Sequence, residues 1–200
     1  MADIPTDPDV DLMLRVKCGD RSAFTELVQK WRHPVIGFVY RTLPDPDESE
    51  DLAQATFVQL WKTADRYQPN ARFASFLFTI ARNLCLNEIR RRSRHPASSL
   101  DETAPDDESQ ALRQIEDARQ LPANTEIVRE ELFLKVEEAL KDLPEKQRTA
   151  LFLCREGELS YDEIAAVLGT SLQATKSLIH RAREVLKARL KPYLDSGEWN

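Results

Sequence analysis

The stretch from Ser160 to Lys191, SYDEIAAVLGTSLQATKSLIHRAREVLKARLK, constrains the fold of this chain more than any other. Ser160 followed three residues later by Glu163 is a capping box, in which each side chain satisfies the other's free backbone N–H at a helix start. Ile164, Ala165 and Leu168 share one side of the helix that opens there, and Gly169 supplies the left-handed residue that ends it. Ser171 then caps a second, longer helix. On it Leu178, Ala182, Val185 and Arg189 form one stripe, while Lys176, Ser177, His180, Arg181 and Lys187 point elsewhere. The pattern predicts a helix-turn-helix whose second helix suits a DNA major groove. A plain helical hairpin with a solvated charged face would need none of these features together.

The rest of the chain fits a helical protein. Of its 200 residues 31% are charged and only 5 are glycine, which favours an all-α chain of one large or two small domains. No apolar run reaches the length of a membrane span, and the leader MADIPTDPDVD is acidic rather than basic-then-apolar, so a cytoplasmic chain is expected. Cys18, Cys85 and Cys154 are widely spaced and read as buried free thiols. His33, His95 and His180 are equally scattered, so neither a metal nor a cofactor is expected. No Gly-rich phosphate loop and no Gly-x-Ser-x-Gly occurs, and no stretch carries catalytic chemistry.

The formal net charge of −6 conceals a segregated distribution. Arg82, Arg90, Arg91, Arg92 and Arg94 face only Glu88 between Arg82 and His95. From Ser171 to Lys191, six Lys and Arg residues face only Glu184. Between Pro96 and Val128, eight acids face Arg113 and Arg119. Two basic patches divided by an acidic connector suit two phosphate-facing surfaces joined by a tether that avoids DNA.

In chain order, a short helix is expected over Val10–Lys17, stopped by Gly19, and Asp20 or Ser22 caps a second that kinks at Pro34. Acids in LPDPDESED load the start of a third helix, about Ser49 to Arg66. Asp47, Glu48, Glu50 and Asp51 exceed what capping needs and suit a basic partner. A fourth helix is expected from Phe73 to Arg92, its arginines serving phosphate neutralisation. Residues 96–124 read as a flexible acidic linker, with transient helix around Gln110 to Arg119. Helices over Glu126–Lys141 and Glu145–Arg155 then precede the helix-turn-helix.

With these motifs in place, the chain resembles the extracytoplasmic-function (ECF) sigma factors of the bacterial sigma-70 family, over nearly its whole length from Leu14 to Leu190. The stretch EDLAQATFVQLW (Glu50–Trp61) is similar to the family's core-polymerase-binding helix. FASFLFTIARNLCLNEIRRRSR is similar to its promoter-melting and minus-ten-reading helix, and LPEKQRTALFLCREGELSYDEIAAVLGTSLQATKSLIHRAREVLKARL to its minus-thirty-five-reading domain. The resemblance implies an N-terminal reader over residues 10–95 and a C-terminal helix-turn-helix domain over 125–192. It implies core RNA polymerase, promoter DNA and an anti-sigma factor as partners, with no membrane span.

For individual residues, the resemblance implies polymerase docking by Asp51, Gln54, Phe57 and Trp61. Minus-ten contacts fall to Asn70, Phe76, Asn83, Asn87, Arg90, Arg91 and Arg92, with Asn83 beside a flipped base in a pocket completed by the loop from Tyr67 to Ala74. Minus-thirty-five contacts fall to Lys176, Ser177, His180 and Arg181. Three positions depart from the family: Ala55 where Glu is common, Phe76 for a frequent Trp, and Leu178 where Arg is often found. The competing classes are a polymerase-independent repressor, which would dimerise on a palindrome, and a helical protein-binding adaptor, which would leave the arginine cluster unexplained.

Overall fold

Side-chain caps decide where the first helices begin. Asp7 accepts the Asp9 amide at 3.0 Å and opens α1, Pro8–Lys17, and Asp20 accepts the amides of Ser22 and Ala23 to open α2, Arg21–Thr42. Asp45 does the same for α3, Pro46–Lys62, so this helix starts a turn earlier than Ser49; Ser49 instead turns its hydroxyl back onto the Asp45 carbonyl. A 3-10 turn, Ala64–Arg66, follows α3, and α4 runs from Phe73 to Arg94. The C-terminal half consists of α5 (134–141), α6 (Glu145–Arg155), α7 (Tyr161–Leu168) and α8 (Leu172–Asp195). These elements belong to a computed structural model that describes residues 7–43, 45–94, 132 and 134–195. The acidic connector 96–124 lies outside the described residues, as do residues 126–131 and 133 of the helix expected from Glu126.

Pro34, where a kink is expected, lies inside α2, which continues through it as one helix, and Val35, Phe38 and Val39 beyond it are wholly buried. Cys85 is a buried thiol, pushed up to about 12 by loss of solvent, but Cys18 is exposed and Cys154 half-buried. Among the described residues there are only helices and turns, which agrees with the all-α reading.

The core runs through both halves. Trp31 of α2 packs edge-on against Phe73 and Phe78 of α4, Phe78 lies 5.1 Å from Phe38, and Phe152 of α6 approaches Phe38 and Phe78 at 6.3 and 6.1 Å. The Arg41 guanidinium stacks on Phe152 at 4.7 Å and pairs with Glu137 of α5 at 3.6 Å. Backbone groups join the same seam. Arg148 donates to the Arg41 carbonyl at 3.1 Å, and the Arg72 amide donates to Glu163 at 3.2 Å. The C-terminal half therefore docks on α2 and α4 instead of standing clear of them.

A carboxylate cluster fastens α3 to the end of α4. Glu88, nearly buried, accepts two 2.7 Å hydrogen bonds from Arg91 and one of 3.0 Å from Arg92. Arg92 reaches on to Asp45 at 3.0 Å and to Glu48, and Arg91 lies 3.9 Å from Glu48. Hydrogen bonding from Arg91, with Arg92 and Glu48 adding to it, holds the Glu88 carboxyl down at about 2 from its ordinary 4.5.

Two predictions follow from this packing. A carboxyl depressed in the folded state adds stability above its unfolded pKa and loses it as pH falls through the folded value. Thermal unfolding followed from pH 4.5 down to about 2 should therefore show a flatter decline for Glu88→Gln than for the native chain. Phe152→Ala empties the seam between the halves and should cost about 3 kcal/mol or more, read by chemical denaturation.

Candidate nucleic-acid interface

The first candidate surface is a groove of about 490 Å³ between α4 and the end of α3. α4 lines it with Phe76, Thr79, Asn83 and Asn87, and the opposite wall is Gln59 and Thr63 of α3 with Arg66 of the 3-10 turn. Helical spacing puts the α4 residues there, because positions three, four and seven apart share a face. That face is the one turned away from Leu77, Phe78, Ala81 and Cys85, which are buried. Phe76 is half-buried, with the buried Tyr67 5.1 Å from its ring, and Phe76, Ile80 and Leu84 line the groove with the exposed Asn83. An apolar floor beside an amide can stack a base and read its edge once the base has left the helix.

The structure thus brings Phe76, Asn83 and Asn87 together. Asn70 sits apart on the exposed loop and donates to Gln68 at 3.1 Å. Gln59, Thr63 and Arg66 were not singled out from the sequence, since they reach the groove from another helix and no local pattern marks them. The three arginines divide as well. Arg91 and Arg92 are engaged with Glu88, Glu48 and Asp45, while the guanidinium of exposed Arg90 donates to Asn87 at 3.4 Å. Part of the acid surplus at the start of α3 is accordingly spent inside the molecule. Asp47, Glu50 and Asp51 remain exposed.

The second surface is the helix-turn-helix. Ser160 and Glu163 form the expected capping box, Gly169 adopts φ +61, and the Ala174 amide donates to Ser171 at 3.2 Å. Of the expected stripe on α8, Ala182 is buried, Leu178 is half-buried against the core, Val185 is exposed and Arg189 pairs with Asp142 at 2.7 Å; Thr175 and Ile179 complete the buried face, which is thus rotated from the stripe. The shift follows from where α6 and α7 lie, which hydrophobicity along α8 alone does not record. Lys176, His180 and Arg181 are exposed, together with Gln173 one turn earlier, which the charge pattern passes over. Ser177 is half-buried and its hydroxyl donates to the Gln173 carbonyl at 3.0 Å.

The third surface is a row along α3. Asp51, Gln54, Val58 and Trp61 recur at helical spacing and all are exposed; Trp61 rests edge-on against Phe24 at 5.0 Å. Phe57, assigned to this row from the sequence, is buried in the core and supports the helix from beneath. Ala55 is half-buried between the row and the core. Among the described residues no group of three His, Cys, Asp or Glu side chains could hold a metal ion, and no helix is long and apolar enough to cross a membrane.

Residues 27–95 match the family model for Sigma-70 region 2, and residues 133–186 match that for Sigma-70, region 4. The chain is 34% identical to the RNA polymerase sigma-H factor of Pseudomonas aeruginosa, over 94% of this chain and 96% of that one. It is 33% identical to the ECF RNA polymerase sigma factor SigW of Bacillus subtilis, over 88% and 94%. In fold it is similar to CnrH in complex with the cytosolic domain of CnrY, with a TM-score of 0.59 and 26% identity, covering 93% of this chain and 99% of that one. With a groove suited to an unstacked base on one half and an exposed basic recognition helix on the other, the chain belongs to the sigma-70 family of RNA polymerase sigma factors, within its ECF group.

Proposed function

We propose that the chain docks on core RNA polymerase through Asp51, Gln54, Val58 and Trp61 of α3, and directs it to promoters as a cytoplasmic, non-enzymatic specificity subunit. A domain over residues 10–95 melts and reads the minus-ten element, placing an unstacked base in the α3–α4 groove against Phe76 and Asn83. Arg90 faces the nearby phosphates. A domain over residues 125–192 lays α8 in the major groove at the minus-thirty-five element, with Gln173, Lys176, His180 and Arg181 toward base edges and phosphates. The carrying observation is that three exposed faces of different chemistry sit on one chain. An amide-and-aromatic groove suits single strand, a basic helix suits duplex, and a mixed apolar and acidic row suits protein. An anti-sigma partner would act by covering one of these faces.

The two elements are separated by roughly 25 base pairs, about 85 Å at ~3.4 Å per step. In the docked arrangement a side chain at Gly169, just before α8, would lie 3.4 Å from the Arg82 guanidinium of α4. The halves therefore part before both readers engage, and the polymerase sets their new separation.

Run-off transcription with core polymerase on promoter templates tests the whole reading; transcription no better directed than by core alone would end it. Val58→Asp should weaken binding to core polymerase about tenfold or more, read by fluorescence anisotropy, with stability changed by less than about 0.5 kcal/mol because the side chain is exposed. Arg90→Ala should lower the salt dependence of promoter opening by roughly one unit of slope. Arg92→Ala should instead lower thermal stability, because its guanidinium already serves three carboxylates.

A further inference from the structure

The loop from Tyr67 to Arg72 leaves the 3-10 turn beside the α3–α4 groove and leads into α4. Its tip, Gln68 to Ala71, is exposed, and within it the Asn70 amide and side chain donate to Gln68. Its two ends are tied to a different helix. The Lys17 ammonium at the end of α1 donates to the Tyr67 carbonyl at 2.8 Å, and Asp7 at the start of α1 accepts the Phe73 amide at 3.0 Å. Both are charge-assisted bonds to backbone, the stronger class of hydrogen bond. Asp7 uses its two oxygens separately: one caps α1 through Asp9, and the other takes the first free N–H of α4.

α1 is itself immobilised. Asp9, almost wholly buried, accepts both from Lys30 at 2.7 Å and from the Trp31 indole at 3.0 Å, and Met13 and Val16 are buried. The helix is a brace of fixed length with a loop end fastened at each of its own ends. The loop's remaining outside contacts, Arg72 to Glu163 and to the Glu158 carbonyl, come from the C-terminal half and are lost when the halves part. The two α1 bonds then remain at its ends, beside Tyr67 buried against Phe76.

We propose that α1 is the positioning element of base capture: Lys17 and Asp7 fix the loop that borders the groove, so that the extruded promoter base is discriminated there. This rests on the groove reading given under the proposed function. Neither residue touches DNA, and both act through the loop backbone.

The test uses the full chain with core RNA polymerase on promoters carrying each of the four bases at every position of the melted strand, with open-complex formation read by 2-aminopurine fluorescence. Each variant is normalised to its own best promoter, which removes any uniform loss of stability or core binding. Lys17→Met should reduce discrimination about five- to tenfold at one position, the same position at which Asn83→Ala loses it. Lys17→Arg, which keeps a cationic donor, should restore it, and Asp7→Asn, which keeps the α1 cap, should reduce it as Lys17→Met does. If Asn83→Ala loses discrimination and Lys17→Met lowers all promoters equally, the positioning role is overturned while the groove reading stands. If Asn83→Ala keeps full discrimination everywhere, the groove reading fails and the positioning role with it.

Discussion

Phe152 seated between Phe38 and Phe78 is the contact on which the docked arrangement depends. Among the described residues it is the one ring of the C-terminal half within aromatic distance of the N-terminal core, which Leu153, Leu159, Ile164 and Leu168 join, and the Arg41 guanidinium stacks on it. Burying a phenylalanine is worth about 1.5–3 kcal/mol, and each good aromatic pair adds about 0.5–1.5. That is enough to hold two small helical units together and little enough for a larger binding partner to overcome. The polar contacts around it belong to backbone carbonyls and amides as much as to side chains. They fix the orientation of the halves more than they add to the strength of the seam.

Charge is organised on the same principle of local balance. Among the described residues, the carboxylates of Asp45, Glu48 and Glu88 neutralise two of the chain's neighbouring arginines. Arg91 and Arg92 next to one another, at the negative end of α4, would already be favoured by the helix dipole. The carboxylates of Glu88, Asp45 and Glu48 go further and turn them into a bracket between α3 and α4. Outside that bracket, Arg90 and Arg94 are exposed on the same helix. The bracket also links the exposed row of α3 to the α3–α4 groove, since both are built from the two helices it joins.

The parts legible in the sequence were those that chain neighbours decide. The capping box at Ser160 and Glu163, the left-handed Gly169, the Asp20 cap and the helical spacing of the α4 face are interactions across two to four residues, and each is where the pattern put it. Whatever depends on a distant element was displaced. Phe57 satisfies helical spacing on two faces, and only the position of its neighbours sends it to the core. The buried row of α8 keeps Ala182 and takes in Thr175 and Ile179 for the same reason. Arg92 meets Asp45 and Glu48 across more than forty residues of chain, a pairing that a count of charges along the sequence turns into a spare cationic patch. Asp7 and Lys17, the ends of a short helix with no motif, carried no signal at all.

Glu163 shows how the docked and separated forms can share one set of helices. One of its carboxylate oxygens accepts from the Ser160 amide and hydroxyl and so maintains the start of α7; the other accepts the Arg72 amide across the seam. Separation withdraws Arg72 and leaves the cap intact, because the two bonds use different oxygens, and water satisfies the freed one at little cost on an exposed surface. The helix-turn-helix therefore does not have to reform its first turn after undocking. Asp7 repeats the device in the other half, with one oxygen on its own helix and the other on the neighbouring strand of chain. Each half keeps its internal geometry through a carboxylate that is never shared at the same atom, and for that reason the seam can open without either reader losing its shape.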